Sequence, residues 1–89
     1  MNKEIAKDEF ESITELVNNA LAAPNKASAK TYLGQLEFKK TSLSGPTLNM
    51  YSEMVAFVIN ATGRVADKPQ KVDIAMQYLY KLKMFCVEG

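Results

Sequence analysis

The sequence predicts an all-α protein, a compact antiparallel bundle of about four short helices. Apolar residues recur at helical spacing over most of the chain. Proline and glycine interrupt this pattern at Pro24, Gly45-Pro46, Gly63 and Pro69. The connections at these interruptions are only a few residues long, so consecutive helices are expected to reverse direction.

The first predicted helix covers residues 3–22. Its acids cluster towards the N-terminal half, where the helix dipole favours them. Glu9 falls inside the apolar arc, and we expect it at the rim, paired to a lysine, because an unpaired buried carboxylate is costly. The apolar face consists of Ile5, Phe10, Ile13, Leu16, Val17, Ala20 and Leu21.

The second predicted helix, residues 26–42, has the weakest pattern. Asn25 is placed to cap it, but Gly34 in its middle costs about 1 kcal/mol relative to alanine. A strand at its end would alternate poorly between polar and apolar residues, so a helix is preferred. Phe38 then points away from the apolar stripe.

The third predicted helix follows Gly45-Pro46, the clearest break in the chain. Pro46 suits the first position of a helix. Gly63 is a natural end, because a left-handed backbone costs glycine no Cβ strain. The core stripe consists of Leu48, Tyr51, Val55, Val58, Ile59 and Thr62, broadened by Met50, Met54, Phe57 and Ala61.

The last predicted helix, within residues 67–88, is the most apolar. Asp67 and Gln70 fit a capping box, and Pro69 suits the first turn. A stripe this wide has two interpretations. The helix is central to the bundle, together with the third helix, or part of its apolar surface is covered by a second contact. The stripe consists of Val72, Ala75, Met76, Leu79, Leu82 and Cys86, widened by Ile74, Tyr78 and Phe85.

Composition indicates a cytoplasmic protein of one helical domain, residues 1–89. The chain is 47% hydrophobic, enough for a modest core. Cys86 is the single cysteine, so no intrachain disulfide forms and a reducing compartment is expected. The charged N-terminus does not resemble a signal peptide. The longest apolar run, residues 54–59, is too short to span a bilayer, so no membrane association is expected.

The net charge of +1 conceals an asymmetry along the chain. Residues 1–22 hold five carboxylates against two lysines, whereas residues 26–43 and 64–83 are each rich in cations. The simpler interpretation is that the acidic first helix packs beside basic neighbours in the same monomer. The alternative is that one end of the molecule presents charge to a partner.

The sequence predicts no catalytic residue, metal site or cofactor. Histidine is absent, which removes the commonest general base and the commonest zinc ligand. Cys86 lies on the core stripe, so we expect a small buried hydrophobe rather than a nucleophile. A non-enzymatic protein is therefore expected.

The sharpest functional signal is for protein binding. Tyr80 and Met84, one turn apart, lie on the otherwise polar face of the last helix; such side chains are enriched in interface cores. Phe38, with Lys39 and Lys40, is a second candidate contact. Alternatively, other parts of the monomer cover these residues. We expect a small protein-binding module, such as an inhibitor, immunity factor, adaptor or chaperone, whose partner is another protein or a second copy of itself.

A small helical nucleic-acid-binding protein is the alternative. Lys71, Lys81 and Lys83 lie among tyrosines in the last helix, and such residues contact phosphates and stack on bases. The near-neutral charge argues against it, as does the lack of a basic recognition surface on any pair of helices. Lys81 and Lys83 also count with Tyr80 and Met84 as candidate partner-binding residues.

The joint at Gly45-Pro46, followed by Leu48, is loosely similar to the joint between helices in some bacteriocin immunity proteins. Secretion-system chaperones and phage-encoded inhibitors are further four-helix proteins of this size, all of bacterial or phage origin. A two-residue joint carries no function across, so the resemblance concerns shape alone.

Overall fold

The computed structural model describes residues 4–88 and is an all-α antiparallel bundle, which confirms the predicted fold class. Its core contains one buried face from every helix. None of the helices in this range combines the length and the hydropathy that a membrane span requires. The four helices are α1 (Lys7–Ala22), α2 (Lys26–Phe38), α3 (Gly45–Ala61) and α4 (Lys68–Cys86).

The first helix begins at Lys7, so the predicted start at position 3 is wrong; that position itself lies outside the described residues. Ile5 instead has extended backbone and forms a parallel bridge with Val87, just after the end of α4. The N–H of Glu88 donates to the Ile5 carbonyl at 2.9 Å. Pairing satisfies backbone groups near both ends of the chain and leaves Ile5 buried.

The second segment is helical, as predicted. The Asn25 Oδ1 accepts a hydrogen bond of 2.8 Å from the N–H of Ser28 and so caps α2. The helix tightens into a 3₁₀ turn over Lys39–Ser42. There the Thr41 hydroxyl donates to the Phe38 carbonyl at 2.9 Å. Side-chain hydroxyls that compete for backbone carbonyls explain why the α-helix ends here.

The predicted positions of proline and glycine at the ends of α3 and α4 are confirmed. Pro46 and Pro69 lie in the first turns of these helices. Gly63 follows the end of α3 with a left-handed φ of +76°. The capping box predicted at Asp67 is wrong, because the Asp67 side chain makes no cap hydrogen bond. Its backbone is left-handed, with φ 55° and ψ 40°, whereas a capping side chain requires an extended backbone.

The helices pack as two pairs, α1 with α2 and α3 with α4. α3 contacts every other helix and is central, as expected. The expectation that α4 is equally central is wrong: it packs chiefly on α3, touches α1 at few positions and does not pack against α2. One side of α4 therefore faces solvent.

Candidate partner-binding surface

The solvent-facing side of α4 exposes four large apolar side chains. The exposed fractions are 62% for Tyr80, 56% for Met84, 49% for Phe85 and 38% for Ile74. Elsewhere in residues 4–88 the only large apolar side chain this exposed is Phe38, at 74%. We call the solvent-facing side of α4 its outer face; it consists of Ile74, Gln77, Tyr78, Tyr80, Lys81, Met84 and Phe85.

Tyr80 and Met84 lie on the outer face, where the sequence predicted them. They line an open depression together with Lys81 and Phe85. The Lys81 ammonium lies 5.4 Å from the centroid of the Tyr78 ring, within the range of a cation–π contact. The structure therefore brings three of the predicted residues together on one surface.

Lys83, the fourth residue predicted on this helix, lies elsewhere. It is about 160° around the helix axis from Lys81, at about 100° per residue. It lines a groove between α1 and α4 that also contains Lys7, Glu11 and Glu88. Lys83 thus has carboxylates nearby and does not belong to the outer face.

Sequence reasoning missed Ile74 and Phe85, which it assigned to the widened core stripe. Their spacing by itself does not distinguish a buried stripe from an exposed one. Lys71, Ile74, Tyr78, Lys81 and Phe85 follow one another at alternating steps of three and four, the spacing of a seam that packs on another helix. We call these five residues the outer seam. It shares Ile74, Tyr78, Lys81 and Phe85 with the outer face and adds Lys71, and it lies about 100° around the axis from the buried stripe. Tyr80 and Met84 lie on the outer face to one side of it.

An aromatic pair supports the outer seam from beneath. The ring of Tyr78 stacks on the ring of Phe57 in α3, with centroids 4.4 Å apart and an interplanar angle of 21°. Tyr78 lines the depression described above. Phe57 lines a second depression with Ile74 and Lys71. The stacked pair therefore separates two depressions that follow one another along α4.

The second predicted contact, at the end of α2, is a separate surface. The ammonium of Lys39 is 2.8 Å from the Glu9 carboxylate, and that of Lys40 is 3.0 Å from the Glu37 carboxylate. The prediction that Glu9 lies at the rim and pairs with a lysine is confirmed. Both lysines are thus engaged within the chain, and Phe38 alone projects into solvent. Because α2 does not pack against α4, Phe38 does not extend the outer face.

The cysteine is buried, as predicted. Cys86 is 3% exposed, and its Sγ lies 3.6 Å from the Met50 Sδ, so the thiol packs among apolar atoms. No group of three or more His, Cys, Asp or Glu residues among residues 4–88 is placed to hold a metal ion.

The outer face is the feature of this bundle that differs from an ordinary polar exterior, because it exposes several large apolar side chains together.

Comparison of the chain with models of protein families, with curated proteins and with solved structures found no match. The functional proposal therefore depends on the geometry of the outer face.

Proposed function

We propose that this protein is a small non-enzymatic binding module that recognises another protein through the outer face of α4. The supporting observation is that four of the five exposed large apolar side chains in residues 4–88 lie on this one face. A contiguous apolar patch on a small protein is typical of an interaction site. Burying it is favourable by about 25 cal/mol per Å² of apolar surface.

The kind of side chain also supports binding of a protein. Tyrosine, phenylalanine and methionine are enriched in interface cores, and methionine adapts to irregular partner surfaces. The proposal covers a cytoplasmic inhibitor, immunity factor, adaptor or chaperone. It also covers self-association, in which the outer face is buried against a second copy of the chain.

The test is the double variant Tyr80→Ala with Met84→Ala. Because both side chains are mostly exposed, we expect the far-UV circular dichroism and the thermal midpoint to remain close to those of the parent. Association is expected to be lost. It is measured as self-association by light scattering coupled to size exclusion over a wide concentration range, and as capture of a foreign partner from the native host.

Phe38→Ala is the matched control, since it removes an even more exposed aromatic side chain from a different surface. Association that survives in the Tyr80/Met84 variant would contradict the proposal. Loss of helical signal in that variant would instead show that the two side chains belong to the core.

Binding of nucleic acid is the second candidate function. The pairing of Lys81 with Tyr78 supports it, because cations and aromatic rings together bind phosphates and bases. The position of Lys83 on another side of α4 weighs against it. The proposal predicts salt-sensitive binding of an oligonucleotide, and absence of binding at low salt would eliminate it.

A further inference from the structure

We infer that the partner seated on α4 is an acidic amphipathic helix of another protein. This inference rests on the proposed function and states which kind of partner the outer face accepts.

The spacing of the outer seam indicates a helical partner. Steps of three and four place side chains in one row along α4, and a second helix packs its own row against such a row. From Lys71 to Phe85 the seam is about 21 Å long, at 1.5 Å per residue. The depressions on either side of the Phe57–Tyr78 pair lie along this row and can receive apolar side chains from successive turns of one helix.

The charge of the seam indicates an acidic partner. Lys71 and Lys81 are two of its five residues, and within residues 4–88 neither has an ion-pair partner. Asp73 is the only carboxylate within α4. It lies about 120° around the axis from the middle of the seam, at about 100° per residue. Glu53 lies one turn before Phe57 in α3 and is exposed, but it forms no ion pair with either lysine. Carboxylates supplied by a partner would complement the two lysines, speed association and fix its register.

A second copy of the chain fits the seam poorly. Packed parallel, its α4 would bring two further lysines against Lys71 and Lys81, which costs free energy through like-charge repulsion. Packed antiparallel about Tyr78, it would place Phe85 and Ile74 opposite the two lysines and supply no carboxylate to either. Its α1 does expose acids, at Asp8, Glu11 and Glu15. However, α1 exposes no large apolar side chain that could cover Ile74 and Phe85. In α2 the exposed Phe38 does lie beside a carboxylate, Glu37, but that group is already paired with Lys40. None of these three helices of a second copy therefore supplies free acids along an exposed apolar row.

The experiment uses two synthetic helical peptides that share one leucine–isoleucine row and differ only at the flanking positions, which are glutamate in one and lysine in the other. Binding to the 89-residue chain is measured by isothermal titration calorimetry. We expect the glutamate peptide to bind about tenfold more tightly than the lysine peptide at low salt, with the difference shrinking as salt screens the charges.

Two variants test the seam itself. Lys71→Glu with Lys81→Glu does not alter the core and should reverse the preference, so that the lysine peptide binds more tightly. Ile74→Ser with Phe85→Ser should weaken binding of both peptides by about tenfold or more, since it removes the apolar anchors. Lys30→Glu, a single charge reversal on the exposed side of α2, is the control and should leave the preference in place.

Equal binding of the two peptides, or binding of neither, would overturn the inference. A third outcome is that the protein binds neither peptide but forms a dimer, and that Ile74→Ser with Phe85→Ser dissociates this dimer. A second copy of the chain would then be the occupant. The proposed function would stand, and this inference would fail. If the same double variant changes neither peptide binding nor self-association, the outer seam is not a binding surface and this inference fails. The proposed function is then decided separately by the Tyr80/Met84 variant.

Discussion

The phenol of Tyr51 in α3 donates a hydrogen bond of 2.7 Å to the main-chain carbonyl of Leu36 in α2. Both residues are fully buried. Because α2 belongs to one helix pair and α3 to the other, this bond joins the two pairs inside the core. A buried hydroxyl without a partner would be unfavourable, so the bond also fixes how the two pairs are positioned.

Tyr51→Phe is expected to lower the free energy of unfolding by about 1–2 kcal/mol, because it removes the hydroxyl and leaves the Leu36 carbonyl without that donor. Urea denaturation followed by circular dichroism measures the change. Tyr80→Phe makes the same chemical change at an exposed position and should alter stability by about 0.5 kcal/mol or less. Equal effects of the two substitutions would show that the hydrogen bond contributes little.

The same tyrosine predicts a loss of stability in alkali. Burial, with a smaller contribution from the carboxylates of Glu9 and Glu37, raises the pKa of Tyr51 well above its ordinary value. The folded protein therefore keeps the phenol proton at pH values where the unfolded chain, with a tyrosine pKa of about 10, has lost it. This contribution is present below about pH 10 and falls as the pH rises towards the folded pKa, by up to about 1.4 kcal/mol per pH unit.

The measurement is the free energy of unfolding from neutral pH upwards, for the parent and for Tyr51→Phe. The decline above about pH 10 should be steeper in the parent, since the variant lacks this group. Other groups that titrate in this range are common to both proteins. Parallel curves would mean that Tyr51 titrates alike in the folded and unfolded states.

Two glycines predict opposite effects of the same substitution. Gly63 has φ +76°, and a Cβ there would lie 3.1 Å from the Lys26 backbone nitrogen, so Gly63→Ala should destabilise by about 1 kcal/mol or more. Gly34 lies inside α2, and a Cβ there meets nothing within 4 Å. Gly34→Ala should stabilise by about 0.5–1 kcal/mol. Thermal midpoints of the two variants test this, and a change of the same sign in both would contradict it.

The bridge between Ile5 and Val87 predicts that the N-terminal segment contributes to stability. Ile5 is 1% exposed, so Ile5→Ala should cost about 2–4 kcal/mol. Ile74→Ala is the matched control on the outer face and should cost about 1 kcal/mol or less. The Glu88 amide, which donates to Ile5, should exchange slowly with deuterium in the parent and faster in Ile5→Ala. Fast exchange in the parent would show that the bridge is not formed in solution.

The local features of this fold could be predicted because the residues that cause them are close in the chain. Asn25 caps α2 through a residue three positions away, and Pro46, Gly63 and Pro69 act through their own backbone angles. Asp67 is the exception. The short connection between Gly63 and Lys68, in which the Lys68 ammonium donates to the Gly63 carbonyl at 2.7 Å, holds it in a conformation that does not cap.

The start of α1 could not be predicted in this way. Ile5 continues the apolar pattern of α1, so the pattern predicts that it is the first core residue of that helix. The residues that hold it, Cys86 and Glu88, lie at the opposite end of the chain, and its N–H donates to the Cys86 carbonyl at 3.0 Å. Helical periodicity carries no information about a partner so distant in sequence.

Of the candidate binding residues, the sequence by itself determined that Tyr80, Met84 and Phe38 stand apart from the apolar stripes, because periodicity gives the angle of each side chain about its own helix axis. Only the tertiary structure decided that Ile74 and Phe85 are exposed. Whether an apolar arc is buried depends on how many neighbours a helix has, and α4 packs chiefly on α3 alone. That number follows from long-range packing of the whole chain, which a pattern within one helix does not contain.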